Sequence, residues 1–145
     1  GKGKCAKALA AARKAAESDG EDAEQAAAVL EVFEERLDSR IRRIGRMIEN
    51  GRYLEAGDRL ESLAKAVRGA EEQESRLKEL RSQLQSKELA PEIAAAKTLA
   101  KIEKKLYAEG PEPRIIKELE KFAGSKTGTR AAERARRLIA LATES

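Results

Sequence analysis

The chain has 145 residues, long enough for one domain of ordinary size, with 30 Lys and Arg against 26 Asp and Glu. It contains no histidine and a single cysteine, which removes the commonest general base and zinc ligand and excludes an internal disulfide. No apolar stretch approaches the roughly 18 residues that a membrane-spanning helix requires.

Apolar residues recur at helical spacing along the chain, and the alternation typical of strands occurs nowhere, so the sequence predicts an all-α fold. Glycine, asparagine and proline separate about seven expected helices. These helices cover residues 2–18, 21–49, 53–67, 70–85, 86–109, a sixth segment around 115–122, and a seventh whose N-cap is Thr129. Short connections make consecutive helices antiparallel neighbours, stacked as hairpins or, alternatively, packed as one bundle. Because no flexible linker interrupts the chain, we expect one domain over residues 1–145.

The second helix is the longest, and from Leu30 to Ile48 its apolar residues are spaced by three and four. This stripe is close to a heptad pattern and would allow the helix to pair with a second copy of the chain. Gly45 interrupts the helix at a cost of about 1 kcal/mol relative to alanine. We therefore expect a neighbouring helix to approach closely at Gly45.

The sequence also aligns with itself in the register that places Gly51 on Gly110. The alignment matches turn glycines and core positions, which are the sites that a structural repeat has to keep. The matched pairs are Met47 with Leu106, Ile48 with Tyr107, Gly51 with Gly110, Leu60 with Leu119, Leu63 with Phe122, Gly69 with Gly128, and Leu80 with Ile139.

Within the first copy, the pattern Gly51-x-Tyr53-x-x-Ala56-x-x-x-Leu60-x-x-Leu63 resembles the second half of a tetratricopeptide (TPR) repeat. In the second copy, Glu112 stands at the tyrosine position and Ile115 at the alanine position. The segment from Gly128 to Ala135 resembles the close of degenerate bacterial TPR hairpins. The resemblance implies a TPR-like helical module.

The Gly-Lys-Gly-Lys opening, the central Gly-x-Tyr hairpin and the Gly-Thr close also resemble the helical extensions that follow thioredoxin-like domains in bacterial envelope proteins. This resemblance implies a periplasmic or envelope location, and otherwise the cytoplasm is expected. Because the chain starts at Gly1 and has no Cys-x-x-Cys motif, we expect a fragment of a larger protein whose redox chemistry lies elsewhere.

Two features could carry chemistry but are better explained as structure. Cys5 lies among lysines that favour a thiolate, yet no base or second cysteine accompanies it. Glu31, Glu34, Glu35 and Asp38 share part of a helix face, but helical metal sites of this kind also use histidine. We therefore predict no enzyme activity, no metal and no cofactor.

Three basic clusters are candidate interaction surfaces. They are Arg40, Arg42, Arg43 and Arg46; Lys97, Lys101, Lys104 and Lys105; and Arg130, Arg134, Arg136 and Arg137. Acidic residues four positions upstream would pair with many surface cations, as in Asp38 with Arg42, Glu61 with Lys65, Glu72 with Arg76, Glu74 with Lys78 and Glu133 with Arg137. The aromatic residues all fall on apolar stripes, which leaves none exposed to stack on nucleic-acid bases.

We therefore expect a non-catalytic helical scaffold for protein–protein interaction, or an accessory module of a larger, thioredoxin-like protein. The first two basic clusters are the candidate surface, and the sequence does not identify the partner. The alternative is electrostatic binding of nucleic acid or anionic surfaces through the same helix faces.

Overall fold

The computed structural model describes residues 4–17 and 21–144 of the chain. Every regular element in these ranges is an α-helix, which confirms the all-α prediction. The helices are α1 (Lys4–Ala16), α2 (Glu21–Glu49), α3 (Tyr53–Ala66), α4 (Glu71–Leu84), α5 (Ala90–Glu109), α6 (Pro113–Ser125) and α7 (Arg130–Thr143).

The helix ends follow the local sequence signals closely. Thr129 caps α7 as predicted, because its hydroxyl accepts a hydrogen bond of 3.1 Å from the backbone N–H of Ala132. The start of α5 is a correction, since this helix begins at Ala90 and not at residue 86. The preceding residues form a turn in which the Ser86 hydroxyl accepts a hydrogen bond of 3.4 Å from the N–H of Leu89.

The contacts between helices divide the chain into two compact units, residues 1–84 and 85–145. In the first unit α2, α3 and α4 each contact the other two, and α1 packs against α2 and α3. In the second unit α5, α6 and α7 likewise contact one another. Each unit buries its own leucine and isoleucine side chains. The single domain predicted from the sequence stays a prediction.

The two units share an internal repeat in which α6 and α7 correspond to α3 and α4. In the register that places Gly51 on Gly110, α3 and α6 end at matching positions, and α4 and α7 agree at both ends. Within the described ranges, positive φ angles occur only at four glycines, and they form two pairs in this register: Gly51 with Gly110 (79° and 82°) and Gly69 with Gly128 (94° and 92°). A glycine with a positive φ angle therefore stands at the corresponding turn in each unit.

Helices α2 and α5, which precede these pairs, also correspond to each other. The sequence separation between their matching residues is one residue smaller than the separation between Gly51 and Gly110. Leu37, Ile41 and Ile44 are buried in α2, and their counterparts in α5 are the buried Ala95, Leu99 and Ile102. Continuing this register pairs Ile48 with Leu106, because one more residue separates Leu106 from Gly110 than separates Ile48 from Gly51. The predicted pairings of Met47 with Leu106 and of Ile48 with Tyr107 are therefore wrong. Tyr107 lies outside the core and is 70% exposed.

Gly45 contacts α4, but less closely than the sequence suggested. A Cβ atom built on Gly45 would lie 3.9 Å from Leu80 Cδ2, which is an ordinary van der Waals distance. Gly45→Ala is therefore expected to raise the free energy of unfolding by about 1 kcal/mol, because alanine loses less backbone entropy in a helix interior. Urea denaturation of the variant measures this change.

The matched control for Gly45→Ala is Gly110→Ala. Gly110 also has space for a methyl group, but its φ of 82° lies in the left-handed region. This substitution is expected to lower stability by about 1–2 kcal/mol. A loss of stability in Gly45→Ala would contradict the prediction and would show that α2 and α4 pack more tightly than described.

Candidate functional site

Helix α2 has one buried stripe with charged side chains on both of its flanks. The stripe includes Leu37, Ile41 and Ile44, which pack in the core of the first unit. At 100° per residue, Arg40 and Arg43 fall on one side of this stripe, next to α3. The periodicity that builds the core thus also places these two arginines at the edge of a helix–helix interface.

A surface groove of about 570 Å³ lies between α2 and α3. Its apolar part is formed by Ile44, Leu63 and Ala66. Polar and charged side chains complete the lining, namely Arg40 and Arg43 from α2 and Glu55, Asp58, Arg59 and Ser62 from α3. The groove therefore combines apolar contact surface with arginine donors.

A second depression of about 350 Å³ adjoins this groove near the turn between α2 and α3. It shares Arg43, Glu55 and Arg59 with the first groove. Its remaining lining consists of Arg46, Met47, Asn50 and Arg52. We refer to the two depressions together as the arginine groove.

The arginine groove has more cationic than anionic side chains. It is lined by five arginines, at positions 40, 43, 46, 52 and 59, and by two carboxylates, Glu55 and Asp58. Glu55 forms ion pairs with Arg52 and, at 3.4 Å, with Arg59. Within the described ranges, the three groove arginines that α2 supplies, Arg40, Arg43 and Arg46, form no ion pair, so their guanidinium groups remain free to bind an anionic ligand.

The predicted arginine cluster is only partly brought together. Arg40, Arg43 and Arg46 line the arginine groove, whereas Arg42 is exposed and lines neither depression. The expected Asp38–Arg42 pair is also replaced, because Asp38 pairs with Arg76 of α4. Likewise Glu61 bonds to Arg81 of α4 at 2.9 Å, and not to Lys65. Arginines of α4 thus pair with the two carboxylates that the sequence predicted to pair with cations in their own helices.

The sequence-based interpretation missed the side of the site that α3 supplies. Arg52, Glu55 and Arg59 recur at spacings of three and four, one position before the buried Tyr53, Ala56 and Leu60. A polar stripe immediately beside a core stripe marks the edge of a helix–helix interface. That spacing was visible in the sequence and could have identified these residues.

The lysine cluster lies on α5, in the second unit. Lys97, Lys101 and Lys104 are exposed and point away from the buried stripe of that helix. Lys105 lies at the side and binds both carboxylate oxygens of Glu118 in α6, at 3.0 and 3.2 Å. The first three lysines therefore form a solvated helix face, while the fourth links two helices.

In the third basic cluster, Arg134 of α7 pairs with Glu103 of α5, whose side chain is mostly buried. The hydrogen bond to Glu103 is the main cause that raises the pKa of Arg134, and the neighbouring Tyr107 adds to it. Tyr107 is therefore a surface residue beside an arginine. The expectation that every aromatic residue belongs to the core is wrong at this position.

The acidic residues of α2 and Cys5 were the candidates for metal binding and thiol chemistry. Glu34 pairs with Arg13 of α1 at 3.2 Å, and the described residues contain no group of three or more His, Cys, Asp or Glu that could hold a metal ion. Cys5 belongs to α1, but its side chain lies outside the described part of the structure. Among the described helices, none is both long and apolar enough to cross a membrane.

No family model, curated protein or solved structure matches the chain.

Proposed function

We propose that this chain is a protein-binding module that holds an acidic segment of a partner protein in the arginine groove. The observation that carries the proposal is the position of Arg40, Arg43 and Arg46, which line a groove without an ion pair among the described residues. Guanidinium groups bind carboxylates through two parallel hydrogen bonds, which makes arginine well suited to this task.

The lining of the arginine groove favours a protein ligand over nucleic acid. Ala66, which is partly exposed, and the aliphatic stems of the lining arginines offer apolar contact to side chains, which a phosphodiester backbone does not provide. Asp58 and Glu55 interrupt the positive charge of the groove, which suits a ligand whose charges are separated by apolar side chains better than a continuous row of phosphates. A segment that alternates carboxylates with apolar side chains satisfies both the arginines and the apolar part of the groove.

The wider role of the module follows from the two resemblances of the sequence. A TPR-like module presents helix faces to bind peptides, which agrees with a groove between α2 and α3. As an extension of a thioredoxin-like domain, the module would position a partner for redox chemistry that another domain performs. Both settings use the same arginine groove and make this chain a non-catalytic accessory.

The test is a fluorescence anisotropy titration with a labelled peptide of Asp, Glu and Leu residues. The double substitution Arg40→Glu with Arg43→Glu is expected to weaken binding about tenfold or more, because attraction becomes repulsion. Both side chains are exposed, so the fold is expected to remain intact.

The matched control is Lys97→Glu with Lys101→Glu, which changes the net charge equally in the second unit. This control is expected to bind the peptide as the native chain does at physiological salt. Equal losses in both double variants would show attraction by net charge alone and would reject the proposed site. Tighter binding of a single-stranded oligonucleotide than of the peptide would favour the alternative function.

A further inference from the structure

Two large apolar side chains are exposed on α2, ahead of the arginine groove. Val29 is 63% exposed and Val32 is 51% exposed. Together with Arg36, Arg40 and Arg43 they are spaced by three and four residues, which places all five on one face of the helix. We call this face the valine–arginine stripe. It extends about 21 Å at 1.5 Å per residue.

From this arrangement we infer that the partner segment is an amphipathic acidic helix that lies along α2. Its apolar side chains cover Val29 and Val32, and its carboxylates bind Arg36, Arg40 and Arg43. The inference rests on the proposed function and specifies the conformation of the partner and the surface that it covers.

The acidic residues in this part of α2 lie apart from the valine–arginine stripe. Between residues 29 and 43 the acidic side chains of this helix all lie on the flank opposite the valine–arginine stripe; they are Glu31, Glu34, Glu35 and Asp38. The acidic flank is used within the chain, because Glu34 pairs with Arg13 and Asp38 pairs with Arg76. Thus the cation needed by each of these two acids comes from a neighbouring helix.

The valine–arginine stripe, in contrast, is left to solvent. Arg36, Arg40 and Arg43 form no ion pair in the described part of the chain. Solvation satisfies arginines, but exposed valines gain nothing from water, and covering them is favourable. A ligand that complements the stripe must therefore carry apolar groups at one end and negative charge at the other.

The spacing along the stripe indicates a helical ligand. A helix presents residues to one side at spacings of three and four, which matches the valine–arginine stripe over four turns. An extended peptide presents every second residue to one side, at a rise of about 3.3 Å, and falls out of step with these positions. The stripe leads into the arginine groove through Arg40 and Arg43, which belong to both surfaces.

The experiment compares two labelled peptides of identical composition. One carries leucines in one half and glutamates in the other half, all placed at spacings of three and four so that they share one face of a helix, and the other is a scrambled isomer. The native chain is expected to bind the patterned peptide about tenfold more tightly, with a rise in helical circular dichroism. Val29→Ser with Val32→Ser is expected to remove most of this preference, and Leu141→Ser, at another exposed apolar residue, is the control.

The outcomes separate the inference from the proposed function. Equal binding of both peptides, unaffected by the valine substitutions but lost in Arg40→Glu with Arg43→Glu, would overturn the helical partner and keep the acidic ligand. Binding of neither peptide would overturn both. Valine-dependent binding to phosphatidylglycerol vesicles, without binding to the patterned peptide, would overturn the inference in favour of an anionic membrane surface.

Discussion

Leu60→Ala is expected to lower the free energy of unfolding by about 2–5 kcal/mol, measured by urea denaturation. Leu60 is 1% exposed and lies in α3, the helix that contacts α1, α2 and α4. Removing the isopropyl group loses its transfer free energy and leaves a cavity that three neighbouring helices cannot close without moving. The same truncation at Leu141, which is 68% exposed, is the control and is expected to change stability by less than about 0.5 kcal/mol.

Substitutions of the two tyrosines test which residues of α2 and α5 correspond in the repeat. Tyr53 is 7% exposed at the start of α3, whereas Tyr107 is 70% exposed near the end of α5. Tyr53→Ala is therefore expected to cost about 3–5 kcal/mol, and Tyr107→Ala less than about 1 kcal/mol. Equal losses would show that Tyr107 packs in the core as the counterpart of Ile48, and that the shorter register of α5 is wrong.

Most of the fold could be predicted because short-range sequence signals determine where its helices begin and end. Asn50-Gly51 ends α2, Gly110 follows α5, and Thr129 begins α7, each through the conformation of one or two residues. The start of α5 was less accessible, since the turn at Ser86 contains no glycine or proline and its sequence is compatible with a helix.

The register of α5 depended on packing that a self-alignment does not contain. An alignment in one fixed register assumes that the same number of residues leads into each turn glycine, and the extra residue between Leu106 and Gly110 breaks that assumption. Leu106 then takes the position that corresponds to Ile48, and Tyr107 rotates to the surface by 100°. One residue at the end of a helix thus decides whether an aromatic side chain is part of the core.

The part of the arginine groove that α2 supplies could be predicted from the sequence, but the part that forms where α3 packs beside α2 could not. The run from Arg40 to Arg46 identified the basic side of α2, while Arg52 and Arg59 entered only when α3 packed beside it. The local ion-pair rule also failed at Asp38, because Arg76 of α4 reaches this carboxylate. Tertiary partners outcompete residues one turn away wherever two helices place opposite charges side by side.

Gln73→Met is expected to raise the free energy of unfolding by about 1–3 kcal/mol. Gln73 lies in α4, is 2% exposed, and its Oε1 atom has no hydrogen-bond partner in the described structure. The carbonyl oxygen gives up its bonds to water on folding and receives none in return. Methionine has nearly the same shape without the polar atoms, so it fills the site without that cost. The repeat supports this interpretation, since the corresponding residue in α7 is the buried Ala132.

Gln73→Glu tests the same site with a more polar group, and its effect on the free energy of unfolding is expected to have the opposite sign at neutral pH. Burial raises the pKa of the introduced carboxyl in the folded state, so the folded chain holds a proton that the unfolded chain releases above about pH 4. Stability of this variant is therefore expected to fall as the pH rises from about 4 to 7, whereas Gln73→Met follows the native profile. Gln83→Met, at an exposed position of α4, is the control and should leave the free energy of unfolding unchanged. A loss of stability in Gln73→Met would mean that Oε1 accepts a hydrogen bond in solution, because only a satisfied amide makes methionine the poorer residue.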